Sequence, residues 1–195
     1  MFKIVRKIVL HANMYQYDIL APRLAESALP GQFVIVKHGE YGERVPLTIT
    51  DYDREEGTVS IVFQTLGDST QKLAKLEEGD FLTDFVGPLG NPTDLAEMSD
   101  EELKEKKILF LCGGVGTAPV YPQVKYLKSR GCSADVIIGA RNKDLIIYEE
   151  QMRSVAGNLY LATDDGSTGF HGNVVACMKD FIEKGKEYNH IVAIG

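Results

Sequence analysis

The run Ile108-Leu-Phe-Leu-Cys-Gly-Gly-Val-Gly-Thr-Ala-Pro119 decides how the second half of this chain folds. Apolar residues lead straight into a glycine-rich turn, and a helix-compatible segment follows. An unbroken apolar run of this kind reads as a strand buried on both faces. Gly113, Gly114 and Gly116 allow a sharp reversal and keep side chains away from whatever lies over the turn. The helix beyond them turns its free N–H groups and the positive end of its dipole toward the same place. Such a turn suits a pyrophosphate. Its spacing is not G-x-G-x-x-G, so the usual dinucleotide fingerprint does not apply as written.

Downstream, strand and helix patterns alternate: strand 108–112, helix 117–130, strand 134–138, helix near 148–155, strand 159–162, helix 172–184 and strand 191–194. That alternation predicts a parallel sheet with helices on both faces, where ligands bind beyond the carboxyl ends of the strands. The turn at 113–116, Gly139-Ala-Arg141 and Asp164-Asp-Gly-Ser167 all fall at such ends.

Upstream the pattern is different. Phe2 to Leu10, Gln32 to Lys37, Val45 to Thr50, Thr58 to Gln64 and Phe81 to Val86 are short β-compatible runs separated by turn signals. Even spacing of short strands predicts a small antiparallel barrel. One helix fits inside, Ser69 to Leu76, with Ser69 as its N-cap. Residues 93–107 are polar and charged, with Ser99 and Glu102 forming a capping box, and read as a linker. The expected organisation is therefore β barrel plus α/β: 1–92 the barrel, 93–107 the linker and 108–195 the α/β domain.

The totals fit this. The chain has 195 residues, 44% apolar and 25% charged, as in ordinary globular proteins. A net charge of −7 with no strong Lys/Arg cluster argues against nucleic acid or an anionic membrane as partner. No apolar run approaches the roughly 18 residues that a spanning helix needs, and the N-terminus lacks the apolar block of a signal peptide. Cys112, Cys132 and Cys177 are odd in number and widely spaced, so they form neither a disulfide framework nor a metal-ligand cluster. A reducing cytoplasm is the expected home. Ile191-Val-Ala-Ile-Gly195 ends within a strand and its turn, and a following C-terminal segment is expected.

Arg44-Val-Pro-Leu-Thr48 starts a strand after a glycine-bearing loop. An arginine there can pair a phosphate bidentately, and a threonine can hydrogen-bond a ring or ribityl oxygen. In order along the chain come Arg44-x-Pro-Leu-Thr48, Phe63-Gln-Thr-Leu-Gly-Asp-Ser-Thr70, Gly87-Pro-Leu-Gly-Asn-Pro92 and Gly113-Gly-Val-Gly-Thr-Ala-Pro119. This ordered set resembles the ferredoxin–NADP reductase superfamily, in which a six-stranded-type antiparallel flavin barrel precedes a parallel-sheet nucleotide-binding domain. More narrowly it is similar to the small subunit of NADH-dependent ferredoxin–NADP oxidoreductase, also called sulfide dehydrogenase, and to the electron-transfer subunit of type B dihydroorotate dehydrogenase. Tyr52-Asp-Arg-Glu-Glu-Gly57, Gly139-Ala-Arg-Asn-Lys-Asp144 and Thr163-Asp-Asp-Gly-Ser167 favour the first.

The resemblance implies an FAD-dependent NAD(P)H oxidoreductase subunit. Arg44, Val45, Pro46, Leu47 and Thr48 would line the FAD pyrophosphate and ring. Phe63, Gln64 and Thr65 would pass the ribityl and adenine side, with Gly67, Ser69 and Thr70 under the phosphates. Gly87, Leu89 and Gly90 would close the barrel near the flavin. The nicotinamide nucleotide would lie on Gly113, Gly114, Val115, Gly116, Thr117, Ala118 and Pro119, with Gly139, Ala140 and Arg141 toward the ribose. Asp164, Asp165 and Gly166 would sit near the nicotinamide or the flavin edge. No protein residue is expected to be catalytic, since hydride transfer to flavin needs no protein base. Asp164-Asp165 reads either as an acid–base pair or as a loop, and Arg141 either as a 2′-phosphate reader or as a surface cation.

The resemblance also implies a large flavin/iron–sulfur catalytic subunit as partner, in a heterodimer or larger complex, with ferredoxin as a redox partner. The family's [2Fe-2S] cluster belongs to a cysteine-rich segment beyond Gly195, so no cluster and no metal are expected in these residues. Pro46 stands where many barrels of the superfamily have Tyr. Two readings compete with the oxidoreductase: a catalytically silent nucleotide-binding module, and an S-adenosylmethionine domain built on residues 108–195, which leaves the β-rich first half unexplained.

Overall fold

In the computed structural model, which describes residues Met1–Gly195, the chain divides into two units, Met1–Thr93 and Asp94–Gly195. The first is built on β1 (Phe2–His11), β2 (Met14–Leu20), α1 (Pro22–Ser27), β3 (Phe33–Lys37), β4 (Val45–Asp53), β5 (Thr58–Gln64), α2 (Asp68–Leu73), β6 (Phe81–Leu82) and β7 (Asp84–Leu89). These strands form one seven-stranded sheet in the order β6-β1-β2-β5-β4-β3-β7, with antiparallel pairing throughout. The two outermost strands are joined by Thr83 alone, so the sheet curls back on itself and nearly closes into a barrel. Thr83 N–H donates to the Lys37 carbonyl at 2.9 Å at this corner.

The expected Phe81–Val86 run is thus two strands split at Thr83. A strand that the pattern does not predict, β2, pairs β1 on one side and β5 on the other. Gln16 and Asp18 are the polar positions of its alternation with Tyr15, Tyr17 and Ile19. Asp18 is nevertheless buried, because Ser60 Oγ donates to it at 2.7 Å, Gln16 Nε2 at 2.8 Å, and the Arg6 guanidinium lies 3.1 Å away.

Inside the barrel, Ile4, Tyr17, Ile19, Val34, Ile49, Ile61, Phe63 and Leu82 form the core. The Tyr17 hydroxyl reaches the carbonyls of Leu73 at 2.6 Å, the last residue of α2, and Leu76 at 2.9 Å, in the turn that follows it. Helix α2 starts one residue before the expected Ser69, behind Gly67. Its cap runs in reverse: Thr70 Oγ1 accepts from Leu66 N–H and Gly67 N–H, both at 3.1 Å, while Ser69 points to Glu43 instead.

The second unit comprises α3 (Asp94–Glu97), α4 (Asp100–Lys104), β8 (Ile108–Gly113), α5 (Thr117–Ser129), β9 (Ala134–Ala140), α6 (Glu149–Val155), β10 (Asn158–Thr163), β11 (Phe170–His171), α7 (Val174–Glu183) and β12 (His190–Ile194). All five strands are parallel, in the order β11-β10-β9-β8-β12. Strand β8 is buried on both sides, as its apolar run requires. Ile108, Phe110 and Cys112 face a core shared with α5 and α6, while Leu109 and Leu111 face one shared with α7.

The expected linker is a correction. The capping box is present, with Glu102 N–H donating to Ser99 Oγ at 3.2 Å and Ser99 N–H to the Glu102 carboxylate at 2.8 Å. It starts a helix that belongs to the second unit, and Leu95 and Leu103 are buried in that unit's core. The polar composition hides these two leucines. Arg130 fastens the segment, donating to the Met98 carbonyl at 3.2 Å and pairing with Asp100.

Leu103→Ala should therefore lower stability in urea denaturation by about 2–5 kcal/mol, as for a core leucine. Leu66→Ala, at a residue 80% exposed, should change it by less than about 0.5 kcal/mol. A neutral Leu103→Ala would restore the linker reading.

Candidate functional site

The second unit's sheet reverses winding direction at β8, which has β9 on one side and β12 on the other. In open parallel sheets the crevice for a ligand lies at this point, beyond the carboxyl ends. The glycine turn sits in it. Gly113 continues β8 in extended conformation, Gly114 takes φ +51°, and a short 3-10 turn, Gly114–Gly116, feeds α5. A Cβ on Gly116 would lie 2.4 Å from the Ile194 carbonyl oxygen, so only glycine lets the turn pack on the end of β12. A Cβ on Gly114 would meet nothing within 4 Å, so this side of the turn is open.

Thr117 begins α5 fully buried, and its Oγ1 has no hydrogen-bond partner. An orphaned hydroxyl is costly to bury and calls for a group to complete it. Thr117 N–H already meets the Gly114 and Val115 carbonyls and Pro119 has no N–H, so what the start of this 13-residue helix offers an anionic or polar ligand is the positive end of its dipole. Ala118 is also fully buried.

The next two strand ends meet. Asp164 N–H donates to the Ala140 carbonyl at 3.1 Å, and Asp165 N–H to that of Arg141 at 3.2 Å. Lys143 N–H donates to Ser167 Oγ at 2.8 Å. Residues 140–143 and 164–167 thus form one rim, with Arg141, Asp164 and Asp165 exposed on it. The glycines here are explained by packing: a Cβ on Gly139 would collide with Val174 at 2.4 Å, and Gly166, at φ +72°, lies against the His171 ring.

Hydrogen bonds from the Ser167 side chain and backbone hold the Asp165 carboxyl below the usual aspartate range. Asp165 accepts from Ser167 N–H at 2.9 Å, so its carboxylate closes its own loop. Burial pushes the Cys112 thiol far up, leaving it inert.

In the first unit, Arg44 lies just ahead of β4 and pairs with Asp84 at 3.2 Å. Both groups are exposed enough that the pair is weak and the guanidinium can exchange partners. Across the sheet Phe33 stands opposite Thr48 on one side and Leu89 on the other, while Ile35 pairs Pro46 and Val86. The Arg44–Thr48 and Gly87–Gly90 segments therefore flank β3. The Phe33 ring fills the space beside Gly90, and Val34 that beside Gly87.

Ser69 Oγ donates to Glu43, which brings the loop before Arg44 to the first turn of α2. A cleft of about 170 Å³ opens there, lined by His38, Tyr41, Glu43, Ser69 and Lys72 among others. The Phe63 ring is buried in the barrel, edge-on to Tyr17 at 5.1 Å. Gln64 and Thr65 are half-buried, and Thr65 N–H donates to the Asn13 carbonyl at 3.0 Å. Phe33, Tyr41 and Glu43 escape sequence reasoning. Phe33 carries the ordinary signal of a strand residue, and the other two lie in a loop whose neighbour is distant in the chain.

A nearly closed antiparallel barrel followed by a parallel sheet with a glycine turn at its switch point defines the ferredoxin–NADP reductase class of fold. The solved NADH-dependent reduced ferredoxin-NADP oxidoreductase matches all of this chain over 67% of its own, with TM-score 0.90 and 34% identity. No family model matches.

Among relatives, a Clostridium beijerinckii protein named only "Uncharacterized protein in adh 3'region" is 55% identical over 100% of this chain and 66% of its own length. The Thermotoga maritima dihydroorotate dehydrogenase B (NAD(+)) electron transfer subunit homolog is 35% identical over 99% of this chain and 65% of its own. The corresponding Fusobacterium nucleatum electron transfer subunit is 32% identical over 92% and 67%. The chain belongs to this family of electron-transfer subunits, and spans about two thirds of the length of the relatives it matches.

Two outcomes test the geometry. Gly116→Ala should cost about 1–3 kcal/mol through overpacking against β12. Gly114→Ala, which meets only the left-handed penalty, should cost about 1 kcal/mol; equal costs in urea denaturation would contradict the packed switch point. Separately, the depressed Asp165 pKa stabilises the fold above the ordinary aspartate pKa, and this is lost as pH falls through the folded value. Ser167→Ala should raise the Asp165 pKa in an NMR titration, whereas an unchanged value would remove Ser167 as the cause.

Proposed function

We propose that the chain is a flavin-dependent electron-transfer module that moves hydride between NAD(P)H and FAD and then passes single electrons to an iron–sulfur cluster or a partner subunit. The observation that carries this is the switch-point turn of the second unit, with its open Gly114 face and the unpartnered buried hydroxyl of Thr117. The two-unit architecture shared with the reduced ferredoxin-NADP oxidoreductase supports the first unit as the flavin domain.

FAD, when bound, supplies a hydride acceptor that can release electrons one at a time. The protein's part is to bind and orient. Arg44 exchanges Asp84 for the pyrophosphate, which it can meet bidentately. Pro46, Leu47 and Thr48 line one wall of the flavin site, and Gly87, Leu89 and Gly90 line the other. Gln64, Thr65, Gly67, Ser69 and Thr70 form its floor, with the backbone of Phe63. In the second unit Gly113–Pro119 hold the nucleotide's diphosphate at the open face of the glycine turn and the positive end of α5, and Gly139–Arg141 with Asp164–Gly166 form its outer rim. No protein side chain transfers a proton.

The names of the relatives favour a second reading of the same module, as the electron-transfer subunit of a dihydroorotate dehydrogenase B complex. The two readings differ in the partner: a large flavin/iron–sulfur subunit that meets ferredoxin in the first, a dehydrogenase subunit in the second. No helix is long and apolar enough to cross a membrane, which is compatible with a cytoplasmic complex.

The test is anaerobic. The purified protein should be yellow and should bleach on addition of NADH or NADPH. Arg44→Ala should lose most of its FAD on gel filtration. Gly114→Glu, which aims a carboxylate into the open side of the turn, should keep its FAD but no longer be reduced. A colourless protein that takes up neither coenzyme would instead support a silent module, and full reduction of Gly114→Glu would displace the nucleotide site.

A further inference from the structure

Tyr148 is the one residue other than glycine with a left-handed backbone, at φ 60° and ψ 21°. Left-handed backbone is unfavourable for a bulky side chain and persists where the surroundings over-determine it. Here they do. Ile147 and Tyr148 are adjacent and both buried, which an extended chain, with its side chains alternating, resists. The reversal at Tyr148 lets both face inward and at once begins α6, whose Met152 N–H donates to the Tyr148 carbonyl at 2.8 Å. No side chain caps that helix, so the reversal is what starts it.

The ring has a specific neighbour. It stands edge-on to Tyr121, with centroids 5.5 Å apart and planes at 78°. Tyr121 lies one turn along α5 from Thr117, the residue with the orphaned hydroxyl. Tyr148 also ends the segment that leaves β9 through Arg141 and is tied to the 164–167 loop at Arg141 and Lys143. It therefore joins the rim of the candidate nucleotide site to α5 one turn beyond its start.

We propose that Tyr148 is a positioning residue for the pyridine nucleotide. Its left-handed backbone aims the ring at Tyr121, and this contact sets the spacing between the 139–147 rim and the start of α5. The proposal rests on the reading that NAD(P)H binds over Gly113–Pro119. Its function is geometric: the buried ring acts through Tyr121.

The experiment uses the FAD-loaded protein and steady-state reduction of ferricyanide by NADH. Tyr148→Phe keeps the ring and should leave KM and kcat unchanged. Tyr148→Gly keeps the backbone conformation at no strain but removes the ring. It should raise KM for NADH by about three- to tenfold, the worth of one aromatic pair, with kcat and FAD content unchanged. Tyr121→Leu should raise KM similarly, and the double variant Tyr121→Leu/Tyr148→Gly should add little to either single one.

A Tyr148→Gly protein with lowered Tm but wild-type KM at 20 °C would reduce Tyr148 to a structural residue and overturn the proposal. So would a Tyr148→Phe protein as impaired as Tyr148→Gly. If the unaltered protein is not reduced by NADH at all, it is the underlying functional reading that fails.

Discussion

The Ile194 carbonyl oxygen lies 2.4 Å from where a side chain on Gly116 would begin. That contact fixes the second unit. It seats the turn after β8 on the end of β12, and thereby sets where α5 starts and where its N–H groups point. With any larger residue at 116, strand end and helix start would have to part, and the crevice at the switch point would change shape. The glycines around it act differently. Gly114 leaves space on the outer side of the turn, while Gly139 makes room for Val174 from α7. One glycine run thus serves both packing and access.

The barrel has its own version of this economy. Its two edge strands are neighbours in the chain, separated by Thr83, so near-closure costs almost no additional connection. Near-closure leaves little free edge to pair with other chains. The buried Tyr17 hydroxyl then ties the far end of α2 to the barrel interior. The loop of Glu43 and Arg44 meets the near end of the same helix. Helix α2 is in this way held at both ends by residues that line or enclose the barrel.

Much of this is legible in residue order. The apolar runs of β8, β9 and β10 and the glycines that follow β8 carry strong local signals, and the structure places them as the pattern predicts. Strand β2 alternates as a half-buried strand does and is open to reading; what its residues do not show is that Asp18 is buried, which Ser60, Gln16 and Arg6, two of them distant in the chain, allow. The 94–104 helices are masked by their charges, since two leucines among many polar residues give no readable period. The start of α2 is misjudged by one residue because Gly67 opens it without a side chain and Thr70 supplies the cap from inside. Of the candidate sites, the Arg44–Thr48 and Gly113–Pro119 segments are readable as motifs. Phe33, Glu43 and Tyr148 are not, because their roles arise from pairing, loop closure and a backbone state that composition does not encode.

The central claim is that each unit carries its own nucleotide cradle. Hydrogen exchange read by mass spectrometry on the protein with FAD alone, and then with NADH added anaerobically, tests it most directly. FAD should slow exchange around 44–48 and 65–70, and NADH should add protection confined to 113–119 and 139–141. Protection of a single unit by both coenzymes, or of neither segment by NADH, would contradict the account.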